Sequence, residues 1–164
     1  MLNTNNFFGI ETYPFLQELQ DNWKNILQEY KAIHHLAVEW PEKLIYTQGW
    51  SVIGLRFQDI DYLNNQMLCP ISTKIIKNIP NVQNAGFSIL KSGTIIHPHI
   101  GYTNKVLRCH LGLICPENAW IKVGNDIKHW KEGEIFVFDD TNMHEAQNNS
   151  NQDRVVMIID FYRK

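Results

Sequence analysis

The chain has 164 residues, 44% of them hydrophobic and 12% aromatic, with 15 basic and 17 acidic side chains and a net charge of −2. That length suits one domain over 1–164 with a sizeable core, and the composition excludes a disordered chain. The charges are interspersed, leaving no basic stripe for nucleic acid, and the three cysteines, Cys69, Cys109 and Cys115, form neither a disulfide framework nor a Cys-x-x-Cys pair.

Reduced thiols fit a cytoplasmic setting. Met1 to Asn6 has no basic stretch ahead of an apolar core, so a secretory leader is not expected. Nor does any apolar run approach the roughly eighteen residues of a membrane-spanning helix, and the expectation is a soluble cytoplasmic protein without an integral membrane segment.

From Tyr13 to about Ile33, Leu16, Leu19, Trp23, Ile26, Leu27, Tyr30 and Ile33 recur at helical spacing, with Pro14 where a first turn tolerates it. The spacing predicts an amphipathic helical segment over about 12–36 that covers a sheet. After Trp40-Pro41 the pattern turns β-like, and a β core is expected over about 45–164. It begins with Gly49 to Phe57 and is interrupted by a second short helix over Ser72 to Asn78.

From Ala85 onward the predicted strands are Phe87 to Ile96, Val106 to Ile114, Trp120 to Val123, Ile135 to Phe138 and Val155 to Phe161. Gln147 to Asp153 is polar and reads as a loop. Short strands at this spacing predict a mainly β protein, a sandwich or jelly roll with the helices packed on a sheet.

Histidines mark the chemistry. His97-Pro98-His99-Ile100-Gly101 is answered by His144, and two imidazole sources on different segments suit a metal centre inside a β-barrel. Residues two apart on a strand share a face, so His97, His99 and Gly101 align if the strand continues. Many non-haem iron sites use His-x-Asp, and here Gly101 stands at the carboxylate position. Either there is no iron site, or two histidines hold the metal with water or another small ligand in the third place.

Arg108 and His110 share a face opposite Cys109, and Arg154 opens the apolar run Val155 to Ile159. An arginine fork matches a carboxylate, and a charge entering so apolar a strand wants a buried anion. The plainer alternative pairs Arg154 with Asp153 or Asp160 at the surface. Asp139 and Asp140 are read as turn and strand-end residues.

Pro98 to Asn104, Leu107 to Leu113, Trp130 to Glu134, and Phe138 to Asp140 with His144-Glu145 together resemble the aspartyl/asparaginyl β-hydroxylase family. The match runs in order from about Phe87 to Tyr162, with weaker likeness at Cys69-Pro70 and Ile79-Pro80. The resemblance implies a double-stranded β-helix (a cupin-like jelly roll), Fe(II) as cofactor and 2-oxoglutarate and O2 as co-substrates. It also accounts for Gly101, since the family lacks the usual carboxylate ligand.

By the same resemblance, His99 and His144 are the iron ligands. Ser88 and Arg154 hold the far carboxylate of 2-oxoglutarate, while Arg108 and His110 stand beside its carboxylate nearer the metal. His97 does not match a ligand position and, with Gly101, is assigned to the substrate pocket; Pro98 restricts the backbone against a third-ligand role.

The implied reaction hydroxylates an unactivated carbon of an amino acid, peptide or aspartyl/asparaginyl residue while 2-oxoglutarate is decarboxylated to succinate. The alternatives are a halogenase, a cupin-type metal enzyme using His97, His99 and His144 without 2-oxoglutarate, and a non-catalytic 2-oxoglutarate or small-molecule sensor.

Overall fold

Helical spacing at the start of the chain gives helix, in pieces. The computed structural model describes residues 5–164. A 3-10 turn at Pro14–Leu16 leads into α1 (Gln17–Asp21) and α2 (Trp23–Ile33), and a second 3-10 turn follows at His34–Leu36. The break falls at Asn22, whose side-chain amide donates to the Glu18 carbonyl at 2.9 Å and competes with the helical ladder. Leu16, Leu19, Ile26, Tyr30 and Ile33 keep to one face and are buried.

Two short strands, β1 (Val38–Glu39) and β2 (Trp50–Phe57), then lead through β3 (Ile60–Asp61) to a helix pair, α3 (Leu63–Leu68) and α4 (Pro70–Asn78). The first of the pair is absent from the sequence reading. The second starts at Pro70, ahead of the expected Ser72. Its first N–H groups are satisfied from α2, since Glu29 accepts from the Ile71 and Ser72 amides at 2.6 and 2.9 Å.

The remaining strands are β4 (Val82–Leu90), β5 (Ile95–His99), β6 (Val106–Ile114), β7 (Ala119–Val123), β8 (Asp126–His129), β9 (Ile135–Phe138), β10 (His144–Asn148) and β11 (Arg154–Tyr162). They form a seven-stranded sheet, ordered β1-β2-β4-β11-β6-β9 with β3 beside β2, and a four-stranded sheet, β5-β10-β7-β8. All the strand pairings are antiparallel. This is the expected mainly β jelly roll.

Two expectations shift in detail. The single strand over Phe87 to Ile96 is split by the turn at Lys91 to Thr94, where Gly93 takes φ +77°, and the chain crosses there from the large sheet to the small one. The polar stretch from Gln147 begins as strand, because Asn148 is wholly buried. Its amide donates to the Leu90 and Gln152 carbonyls, and its oxygen accepts from Ser150.

Alternation divides the large sheet into two working faces. Ile53, Phe87, Cys109, Leu111, Met157 and Ile159 pack against α1, α2 and α4. The opposite face carries Trp50, Ser88, Arg108, His110, Arg154, Val156 and Ile158, and turns toward the small sheet with its Ile96, Ile121 and Ala146. Apolar burial of this kind is worth about 1.5–3 kcal/mol per large side chain. The chemistry is confined to the second face.

On β6 the chain passes so close to its neighbour that a Cβ at Gly112 would overlap the Lys131 carbonyl oxygen. Gly112→Ala should therefore cost roughly 2–3 kcal/mol, appearing as a lower urea midpoint with an unchanged denaturant slope.

Candidate active site

His99 and His144 come from adjacent strands in direct register, with ring centroids 4.2 Å apart and planes tilted by 56°. Each ring is fixed by its own chain. His99 Nδ1 donates to the His97 carbonyl at 2.7 Å, and His144 Nδ1 to the Asn142 carbonyl at 2.9 Å. With the proton on Nδ1, the Nε2 lone pair of both rings is left for a Lewis acid. Burial pushes the His144 pKa down to about 4, so this ring is neutral and able to ligate at pH 7.

The register of β5 against β10 shifts between His144 and Ala146. Through this irregularity Ile96 and His99 both reach the interior, whereas His97 is exposed and lines neither cavity described below. His97 is thus not the pocket residue expected; its carbonyl anchors His99. A three-histidine cupin centre loses its third member for the same reason. Among the described residues no cluster of three or more His, Cys, Asp or Glu stands ready to hold a metal.

Gly101 has a steric reason to be glycine. A Cβ there would overlap the carboxylate of Asp140, and the Gly101 amide donates to the Asp140 carbonyl at 2.7 Å. Asp140 is 2% exposed, 3.7 Å from Arg108, and burial raises its pKa. It is more than the turn residue expected, since its side chain fills the space beside Gly101. Asp139 does keep a turn role, accepting from Thr141 and pairing with Arg163.

The two arginines of this face differ in charge balance. Arg108 is neutralised by Asp160, which accepts from Nε at 2.7 Å and from the terminal nitrogen at 2.9 Å. Arg154 is 2% exposed, with no carboxylate partner among the described residues, and its Nε and one terminal nitrogen lack any acceptor. Surface pairing with Asp153 or Asp160 is therefore ruled out. Burial draws its pKa down to about 9, which still leaves a cation at neutral pH.

The neighbours of Arg154 are also poised as donors. Ser88 Oγ accepts from Trp50 Nε1 at 3.0 Å and from Arg154 at 3.5 Å, so its own proton is free for another acceptor. His110 Nδ1 accepts from Trp130 Nε1 at 3.1 Å, which places the His110 proton on Nε2. That Nε2 is buried and without a partner, and burial holds the ring pKa well below its ordinary value. Trp130 also lies under Arg154, 4.6 Å from ring centroid to guanidinium carbon.

Two cavities flank the histidine pair, sharing Trp50, His99, Arg108 and Ile158. The smaller, about 30 Å³, lies among Ser88, His110, His144 and Arg154. It holds about one water, so a larger anion enters only as the lining side chains move apart. The larger, about 510 Å³, opens past Trp40, Val52, Tyr62 and Tyr102. Asp160, Trp50 and Trp130 are absent from the sequence reading of the site. Of these Asp160 carries a signal, as the one charge within Val155 to Phe161 and on the same face as Arg154.

The donor set fits both implied groups: two oriented imidazoles for a divalent metal, and buried N–H and O–H donors around an unpaired cation for a dicarboxylate.

The family described as aspartyl/asparaginyl beta-hydroxylase matches residues 20–164. An ornithine lipid ester-linked acyl 2-hydroxylase from Rhizobium tropici is 33% identical over 95% of this chain and 60% of its own length. Human aspartyl/asparaginyl beta-hydroxylase is 31% identical over 90% of this chain and 21% of its own length. The chain thus spans less than two thirds of either relative.

In fold, a prolyl hydroxylase from Trichoplax adhaerens superimposes with a TM-score of 0.61 at 12% identity, covering 98% of this chain and 85% of its own. The α-ketoglutarate-dependent epimerase SnoN gives 0.63 at 8% identity, covering 87% and 72%. With the family model matching residues 20–164, the chain belongs to the aspartyl/asparaginyl β-hydroxylase family.

Proposed function

We propose that the chain is an Fe(II)- and 2-oxoglutarate-dependent dioxygenase that hydroxylates an unactivated carbon. One observation carries this reading: two imidazoles with free Nε2 atoms stand beside a buried, uncompensated guanidinium whose Nε and one terminal nitrogen lack acceptors. The named relatives divide between an ester-linked acyl chain and aspartyl or asparaginyl residues as targets. When bound, iron with 2-oxoglutarate supplies the oxidation: one atom of O2 enters a C–H bond, the other enters succinate, and CO2 leaves.

The protein's own part is binding and aim. His99 and His144 hold the metal through Nε2, kept in that tautomer by the carbonyls of His97 and Asn142. Arg154 and Ser88 take the far carboxylate, whose charge offsets the guanidinium in a low-dielectric setting. His110 donates through Nε2 to the carboxylate nearer the metal. Arg108, balanced by Asp160, adds positive potential there without surrendering its own partner. The aromatic wall of Trp50, Trp130 and Phe138 keeps water out. A reducing compartment suits the three free cysteines and ferrous iron.

Anaerobic addition of Fe(II) and 2-oxoglutarate should produce the weak visible charge-transfer band of a chelated complex. His99→Ala or His144→Ala should remove it, and its absence from the intact protein would sink the reading. Arg154→Ala should weaken 2-oxoglutarate binding roughly 100-fold, since it removes a buried charged partner worth about 3 kcal/mol, while iron affinity holds. Equal loss of both affinities would contradict the clamp role. Trp130→Phe removes one hydrogen bond of about 1 kcal/mol and should weaken 2-oxoglutarate about fivefold in calorimetric titration, with the iron site intact.

A further inference from the structure

The inner face of the large sheet carries a row of three polar residues. Asn84 on β4 stands opposite Asp160 on β11, and Asp160 stands opposite Arg108 on β6. All three are buried, and all three line the larger cavity. Side chains facing each other across strands in this way are close enough to bond.

Asp160 is the middle member. Its two oxygens offer about four acceptor positions, and Arg108 takes two of them with Nε and one terminal nitrogen, at 2.7 and 2.9 Å. Asn84 Nδ2 donates at 2.8 Å to the oxygen that the terminal nitrogen also reaches. The carboxylate is thus gripped from both neighbouring strands.

The other end of Asn84 is fixed too. Its side-chain oxygen accepts from the Gln58 amide at 2.8 Å, so a backbone N–H on one side and a carboxylate on the other admit a single orientation of the group. Gln58 and Asp59 both take left-handed backbone angles, φ +47° and +65°, which non-glycine residues keep only where their surroundings impose them. Here the Gln83 carbonyl accepts from the Asp59 amide at 3.1 Å, while the Asp59 carboxylate accepts from the Tyr162 hydroxyl at 2.7 Å and pairs with Arg56 at 3.5 Å. The turn is a fixed post, and Asn84 leans on it.

Arg108 inherits that order. A guanidinium is a rigid planar fork, so the plane of Asp160 decides where its remaining edge points. Arg108 borders both cavities beside His99, and Nη1, which makes no hydrogen bond among the described residues, is the edge it has left to offer there. Were Asp160 free to turn, that edge would turn with it.

We propose that Asn84 is a positioning residue: through Asp160 it fixes the direction in which Arg108 faces the reacting centre. It needs no contact with metal or co-substrate to do so. The proposal rests on the oxygenase reading for its bearing on the reaction, whereas the alignment itself is a property of the iron-free protein.

The test is NMR of the arginine Nε–H groups in iron-free protein, with the Arg108 signal identified by its loss in Arg108→Lys. Asn84→Leu, close to asparagine in size, should speed exchange of the Arg108 Nε–H with water about tenfold, as expected when a hydrogen bond to a charged group is lost. The Arg154 signal, from the same face but without a bond to Asp160, should keep its rate. Gln83→Leu, which frees the hydroxyls of Tyr102 and Tyr162 but leaves the bond from Asn84 to Asp160, should also leave Arg108 unchanged. Where Asn84→Leu fails to fold, Asn84→Asp keeps the acceptor for Gln58 and removes the donor to Asp160, and the same acceleration is expected. An Arg108 rate that matches the unsubstituted protein, or an equal acceleration at Arg154 or in Gln83→Leu, would overturn the positioning role.

In Fe(II)-loaded protein without O2, the same Asn84 variant should weaken 2-oxoglutarate about fivefold while keeping the charge-transfer band. Unchanged affinity would overturn the link to the reaction. Failure of the oxygenase reading would show separately, as a missing band in the intact protein.

Discussion

A seven-stranded sheet whose central strands are buried on both faces is the constraint from which the rest of this molecule follows. Its central strands present no face to water, so each alternate residue has to find a partner in one of two interiors. The helices seal one side with aliphatic side chains. The small sheet closes only part of the other, and there β4, β6 and β11 bring in arginine, histidine, serine and aspartate. A charge on such a strand cannot reach solvent, so whatever neutralises it comes from the fold or from a ligand.

Arg108 and Arg154 show both solutions on adjoining strands. Asp160, opposite Arg108 in the register of β11 and β6, supplies an internal counter-ion with two hydrogen bonds. Arg154 sits at the far end of the same strand with an aromatic ring beneath it and no acid beside it. A buried cation without a partner destabilises the folded protein, a cost that a bound anion would offset. Adjoining strands thus carry one compensated and one uncompensated guanidinium.

Much of this was legible in the residues. The period of α2 and the alternation of β6 and β11 are local signals, and the structure places them on the elements predicted, while His99 and His144 fall on β5 and β10, outside the strands expected, and Gly101 lies just beyond β5. What stayed hidden depends on contacts distant in sequence. The helix break at Asn22 needs a side-chain hydrogen bond to a carbonyl, and the buried Asn148 sits in a stretch whose polarity reads as loop. The outward turn of His97 follows from a register shift that strict alternation does not foresee. Asp160 could have been found as the single acid on the inner face of an apolar strand; the counter-ion role of Asp140 could not, because it depends on the pairing of β9 with β6, which sets Arg108 opposite Phe138.

Gly101 and Asp140 fit together as one packed unit. A carboxylate introduced at 101 alone meets the one already delivered from 140, while removal of the Asp140 side chain leaves an unfilled space beside His99 and one fewer counter-charge on Arg108. Changes at positions 101 and 140 are therefore coupled, since a larger side chain at 101 needs the Asp140 carboxylate to move.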